Sequence, residues 1–179
     1  MPNRTWTRKK ILESSKFLAT VREVTTALDR LDIRYALFGG IAVAYHANPP
    51  VTIDADFLID TEKMDILQII FLSGKWKVHP FVFPQRGPGF PKYGWRIQKP
   101  GRTVVDLIST SEDSYLSSVV GRARRVSLSG VSVPVVRPED LIVIKTLAGR
   151  AKDLTDVGVL RKLKLDSAYI RRMLAILKG

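Results

Sequence analysis

The 179-residue chain contains no cysteine, which excludes disulfides, thiolate metal sites and cysteine nucleophiles together. That absence is compatible with a reducing cytoplasm. Histidine is nearly missing as well. His46 and His79 are too few for histidine-based metal or triad chemistry, and both are read as structural. No stretch approaches the ~18 uninterrupted apolar residues of a membrane span, and the basic, polar residues 1–13 are followed by no apolar signal core. The expectation is a soluble cytoplasmic protein with no membrane partner. Acids are scarce: 17 Asp plus Glu stand against 29 Lys plus Arg, a net charge of +12. Two segments lack acids entirely. Residues 84–102 carry Arg86, Lys92, Arg96, Lys99 and Arg102, and residues 114–137 carry Arg122, Arg124, Arg125 and Arg137. Such an excess favours a polyanionic partner, although a surface tuned for solubility would carry the same residues.

What is present is globular. Hydrophobic residues make up 45% and aromatics 8%, and the length suits one domain of roughly 100 to 200 residues. Apolar residues recur at helical spacing from Ile11 through Val21 and Leu28 to Leu31, which predicts an amphipathic helix over 8–31. Residues 35–38 read as a strand ending at Gly39-Gly40, and 41–46 as a helix stopped by Asn48-Pro49-Pro50. Strands follow at 52–59, 76–83 and 103–109, with a helix at 62–72. Ser129-Gly130 signals a hairpin between 125–128 and 131–136, so the sheet is mixed. Pro138 opens a helix to Ala148, and two more are expected at 153–163 and 167–177. Residues 84–93, rich in proline and glycine, read as a loop bordering the site or as a plain surface connection. The fold class is α/β (α+β), a mixed sheet flanked by helices. Residues 1–137 form the core and N-terminal helix, and 138–179 a helical C-terminal portion of the same domain.

Chemistry concentrates in the second strand. Side chains alternate across a strand, so Asp54 and Asp56 project from one face while Ile53, Ala55, Phe57 and Ile59 project from the other. Two carboxylates about 7 Å apart on one face repel unless a cation lies between them. Mg²⁺ or Mn²⁺ suits oxygen ligands of this kind. Asp106 is a third acid, inside the apolar run 104–108, where an unpaired charge would cost several kcal/mol. It would complete a metal clamp if its strand lay beside that of Asp56; a cap or an ion pair with a neighbouring arginine is the alternative. Gly39 and Gly40 would let backbone N–H groups approach phosphate oxygens at a helix N-terminus. Lys145, Gly149, Lys152 and Asp156 share a face if one helix spans them. Lys145 would be a point charge for phosphate, Arg150 could hold one bidentately, and Lys152 would either add to them or pair with Asp156.

Phe38-Gly39-Gly40, Asp54-x-Asp56 and the later strand acid Asp106 resemble the pattern of the DNA polymerase β-like nucleotidyltransferase superfamily. Residues 137–145 and 148–157 resemble the C-terminal helices of its minimal nucleotidyltransferase and abortive-infection type IV toxin branch. The resemblance covers about residues 34–160. It implies transfer of a nucleoside monophosphate from an NTP to a hydroxyl, with Gly39 and Gly40 holding triphosphate. It also implies Asp54 and Asp56 binding metal, Asp106 as ligand or base, and Lys145 reaching the nucleotide. One departure is Pro50, which stands where relatives usually carry arginine. Phe90, Tyr93 and Trp95, interleaved with the basic residues, favour RNA as acceptor, and the resemblance implies tRNA and a possible cognate antitoxin. Nucleotidylation of a protein or small molecule, and a non-catalytic nucleic-acid-binding relative, stay open.

Overall fold

The protein is described from a computed structural model, covering residues 14–47, 54–61, 64–84 and 87–179. The expected helical start at 8–13, the Asn48-Pro49-Pro50 stop, the Pro50 departure, Thr52, Ile53, Glu62 and Arg86 lie outside the described residues.

In chain order the elements are α1 (Ser15–Arg30), β1 (Arg34–Phe38), α2 (Gly39–His46), β2 (Ala55–Asp60), α3 (Met64–Ser73), β3 (Lys77–Val82), β4 (Tyr93–Gln98), β5 (Val105–Ser109), α4 (Ser114–Gly121), β6 (Arg124–Leu128), β7 (Val131–Val135), α5 (Pro138–Ala148), α6 (Ala151–Leu160) and α7 (Ser167–Lys178). The strands form one mixed sheet in the order β3-β4-β5-β2-β1-β7-β6. The β2–β5 and β1–β7 pairs are parallel, the others antiparallel. Ser129 and Gly130 both have positive φ, the backbone that a two-residue hairpin turn demands. No described helix is long and apolar enough to cross a membrane.

The alternation expected of the acidic strand is seen in what its two faces meet. Phe57 packs edge-on against Tyr35, whose hydroxyl donates to Asp29 of α1. Asp60 accepts from Ser117 of α4, and Asp56 lies against Gly39 of α2. Odd residues of β2 therefore face α1, and even ones face α2 and α4. The central strand and its neighbours are part of the apolar core, with Leu37, Phe57, Leu58, Ile59 and Leu107 fully buried.

Two elements escaped the sequence reading. β4 was hidden by Gly94 and Arg96 inside a proline-flanked basic stretch. Gly94 is nonetheless required there, because a Cβ would lie 2.5 Å from the Leu107 carbonyl oxygen of the neighbouring strand. α4 carries a plain start signal, Asp113, whose side chain accepts from the Leu116 N–H at 2.8 Å. The expected helix at 153–163 starts earlier and ends sooner, at Ala151–Leu160.

The C-terminal helices are fastened by one carboxylate. Asp140, on α5 and 0% exposed, accepts hydrogen bonds from Tyr115 of α4, Tyr169 of α7 and Arg122. Arg122 lies over the rings of both tyrosines. Burial first, then the hydrogen bond to Asp140 and its charge, push the Tyr169 hydroxyl up to about 12, and burial and Asp140 raise that of Tyr115 too, so both stay protonated as donors. Removing the acceptor strands three donors at once. Asp140→Ala should cost about 3 kcal/mol in urea denaturation; a loss within experimental error would show that the cluster does not hold α7 in place.

Candidate active site

Register does in the sheet what spacing alone could not guarantee. Asp56 lies directly opposite Asp106 across the parallel β2–β5 pair, and Asp106 opposite Arg96 on β4. His79 continues the line on β3 and Phe38 on β1. Five residues on five adjacent strands thus form one row on the α2 face, and all five line a cavity of about 900 Å³. Gly39, Gly40 and Asp54 line it from one end, and Ile144, Lys145, Arg150 and Lys152 from the C-terminal helices. Every site residue expected from the sequence therefore borders the same space.

Gly39 is fixed by two constraints. Its φ is +65°, and a Cβ would sit 1.8 Å from an Asp56 carboxylate oxygen. Both its backbone conformation and its lack of a side chain are needed at that contact. It begins α2, and Phe38 before it makes no side-chain cap hydrogen bond. The uncapped N–H groups of the first turn thus open beside a carboxylate.

That carboxylate is perturbed. Burial first, then the charges of Asp106 and Asp54, push the Asp56 carboxyl up to about 7, while Lys145 and Lys152 draw it back. Asp106 has a different environment. Arg96 donates to both of its oxygens, Nε at 2.8 Å and Nη2 at 2.7 Å. The arginine alternative for Asp106 is therefore the contact observed, and Arg96 is the site residue that sequence reading passed over. It went unseen because β4 itself was not read as a strand. Among the described residues, no group of three acidic or histidine side chains is arranged to hold a metal ion. Asp54 and Asp56, both lining the cavity, are carboxylates of the kind that could hold a cation. Each Asp106 oxygen accepts one hydrogen bond from Arg96.

The shared helical face expected of Lys145 to Asp156 is corrected by the structure. Gly149 adopts the left-handed conformation that ends α5, and α6 restarts at Ala151. The turn brings α6 back onto α5. Lys145 is thereby buried, donating to Asp153 at 3.2 Å and Asp156 at 2.6 Å. Asp156 thus bonds Lys145 rather than Lys152. Arg150 donates to Asp153 at 2.6 Å. Burial raises the Asp153 carboxyl, but Arg150 and Lys145 more than offset that and hold it below the usual range.

His46 is structural, its Nε2 lying 2.8 Å from the Val136 carbonyl oxygen, whereas His79 borders the cavity. The 84–93 segment borders it too, through Pro84, Phe90 and Pro91. It is tied to the body of the protein where the Gly89 N–H donates to Asp113. The acid-free basic segments are largely neutralised across the fold. Lys92 pairs with Glu112, Lys99 and Arg102 with Glu23, Arg122 with Asp140, and Arg137 with Glu139.

Residues 18–177 match the family described as nucleotidyl transferase of unknown function (DUF2204), and the chain belongs to it. The enzyme class expected from the sequence is thus shown. Among solved structures it is similar to an antigenic nucleotidyltransferase-like protein from Paracoccidioides brasiliensis, at 22% identity and TM-score 0.54 over 91% of this chain and 87% of that one. It is also similar to the antibiotic-resistance factor ANT(2'')-Ia, at 13% identity and TM-score 0.60 over 89% of each chain. A third is the lincosamide antibiotic adenylyltransferase LnuA, solved with lincomycin bound, at 10% identity and TM-score 0.53 over 82% and 97%. These likenesses establish the mixed-sheet nucleotidyltransferase fold. No curated protein matches the chain by sequence.

A carboxyl whose folded pKa lies above its unfolded value contributes stability only while protonated. For Asp56 that contribution is whole below about pH 4 and drains away as pH rises to about 7. In metal-free protein, Asp56→Asn should be more stable than wild type at pH 8, by roughly 2–4 kcal/mol. The difference should close towards pH 4. Equal thermal stability of the two proteins at pH 8 would contradict the burial and charge repulsion inferred for Asp56.

Proposed function

We propose that the chain transfers a nucleoside monophosphate from an NTP to a hydroxyl of RNA, with Mg²⁺ or Mn²⁺ as the ion. The observation that carries the donor half is the contact between Gly39 and Asp56. An uncapped helix N-terminus draws anions, and a carboxylate pressed against it repels them. A ligand satisfying both must bring both signs, as a metal-bound triphosphate does. Gly39 and Gly40 would hold phosphate oxygens, and Arg150 and Lys152, at the cavity wall, would take the outer phosphates. Lys145, committed to Asp153 and Asp156, acts on the nucleotide through its field and by fixing the α5–α6 turn. An ion on Asp54 and Asp56 would supply charge neutralisation at the transferring phosphoryl.

In the reaction the acceptor oxygen bonds to the α-phosphorus and the bond from that phosphorus to its bridging oxygen breaks. Pyrophosphate leaves with the electron pair, and the hydroxyl proton is released to solvent. The residues act by positioning and by electrostatics.

The acceptor reading rests on the far wall. Phe81, Phe83 and Phe90 line it, with Phe81 and Phe83 in edge contact at 5.1 Å, and aromatic rings stack bases of any sequence. With most cations of the basic segments paired, exposed Arg161, Lys162, Lys164, Arg171 and Arg172 at the C-terminus would track a phosphate backbone. Placement in the abortive-infection toxin branch, with a cognate antitoxin, is supported by the resemblance of residues 137–157. The antibiotic-modifying structural neighbours make a small-molecule hydroxyl the second reading, but a cationic aminoglycoside suits a chain of net charge +12 poorly.

Incubation with α-labelled NTPs, Mg²⁺ and total RNA should label RNA, and Asp56→Asn should lose at least about a hundredfold of that activity. Label confined to protein or to small molecules would reject RNA as acceptor. Failure to bind any NTP in the presence of Mg²⁺ would reject the transferase reading itself.

A further inference from the structure

We propose that Arg96 is a built-in cation standing where a second metal ion would otherwise bind, so that the site takes one divalent ion per nucleotide. This rests on the nucleotidyltransferase reading above. Asp56 and Asp106 are direct neighbours across β2 and β5. Both line the cavity, but of the two only Asp106 has its oxygens hydrogen-bonded by a cation. Arg96 holds Asp106 in a two-point contact, the geometry in which guanidinium binds carboxylate most tightly and with least orientational freedom.

Three further observations favour a standing partner over a passing one. Arg96 is the register neighbour of Asp106 on an adjacent strand, so backbone pairing, not a flexible loop, delivers it. A guanidinium is charged throughout the working pH range, so the pair does not come apart by titration of Arg96. The Asp106 side chain is only 15% exposed while that of Arg96 is 47% exposed. The pair thus buries the acid and leaves the cation facing the cavity, where it can meet the ligand. A lone carboxylate in the place of Asp106 would be costly, and the arginine removes that cost without an ion. The remaining like-charged pair, Asp54 and Asp56, is left for a single ion.

Manganese binding separates the possibilities without measuring turnover. Each protein is saturated with an equimolar mixture of the four α,β-methylene NTPs, and bound Mn²⁺ is counted by electron paramagnetic resonance. Wild type should hold one ion per chain, and Arg96→Lys, which keeps the charge, should also hold one. Arg96→Gln, which frees Asp106, should admit a second. Asp106→Asn should leave the wild-type count unchanged, whereas in a two-ion site it would lower it from two to one. Circular dichroism checks that every variant is folded. Two ions in wild type, or one in Arg96→Gln with its fold intact, would overturn the proposal. Nucleotide-dependent binding of no ion in any folded variant would overturn the transferase reading and this one with it.

Discussion

Two carboxylates side by side in the middle of a sheet set the terms for the rest of this molecule. Asp56 and Asp106 are brought together by parallel pairing of β2 and β5, and hydrophobic burial of both strands holds them there. The fold answers the charge of Asp106 from within, using Arg96. It leaves that of Asp56 only partly answered, by the fields of Lys145 and Lys152, and its carboxyl rises to about 7. A group so placed works against stability near neutral pH. Such residues are found where a ligand completes the balance, and here the completing ligand would enter over the Gly39 turn.

The C-terminal helices serve this arrangement from a distance. Asp140 ties α5 to α4 and α7, and the left-handed turn at Gly149 folds α6 back on α5. Lys145 is thereby enclosed between two acids, yet its charge still reaches Asp56. Both devices use buried ion pairs, whose value is geometric more than energetic. They keep the cations Arg150 and Lys152 at the wall of the cavity that Gly39 and Gly40 also line.

Much of this was legible in the sequence because local signals and tertiary needs agreed. Alternation in residues 52–59 gave the face of Asp56, and Gly39-Gly40 marked the strand-to-helix turn. Ser129-Gly130 marked the hairpin, and Pro138 the start of α5. What could not be read is what depends on register. Nothing in the run of residues 93–98 says that Arg96 will face Asp106; that follows from β4 pairing antiparallel with β5. The same holds for Lys145, whose partners are set by where Gly149 turns the chain rather than by helical periodicity. The basic segments misled for a related reason. Their cations look free in one dimension, and pair with Glu23, Glu112, Asp140 and Glu139 in three.

The central claim, that the Asp56 row and the Gly39 turn together form a donor site for a metal-bound triphosphate, is tested most directly by a crystal structure. The protein would be crystallised with Mn²⁺ and a non-hydrolysable NTP. The account predicts anomalous density for manganese against Asp54 and Asp56, with phosphate oxygens at the backbone of Gly39 and Gly40. Nucleotide bound elsewhere in the molecule, with the Asp54 and Asp56 carboxylates free of metal, would contradict it.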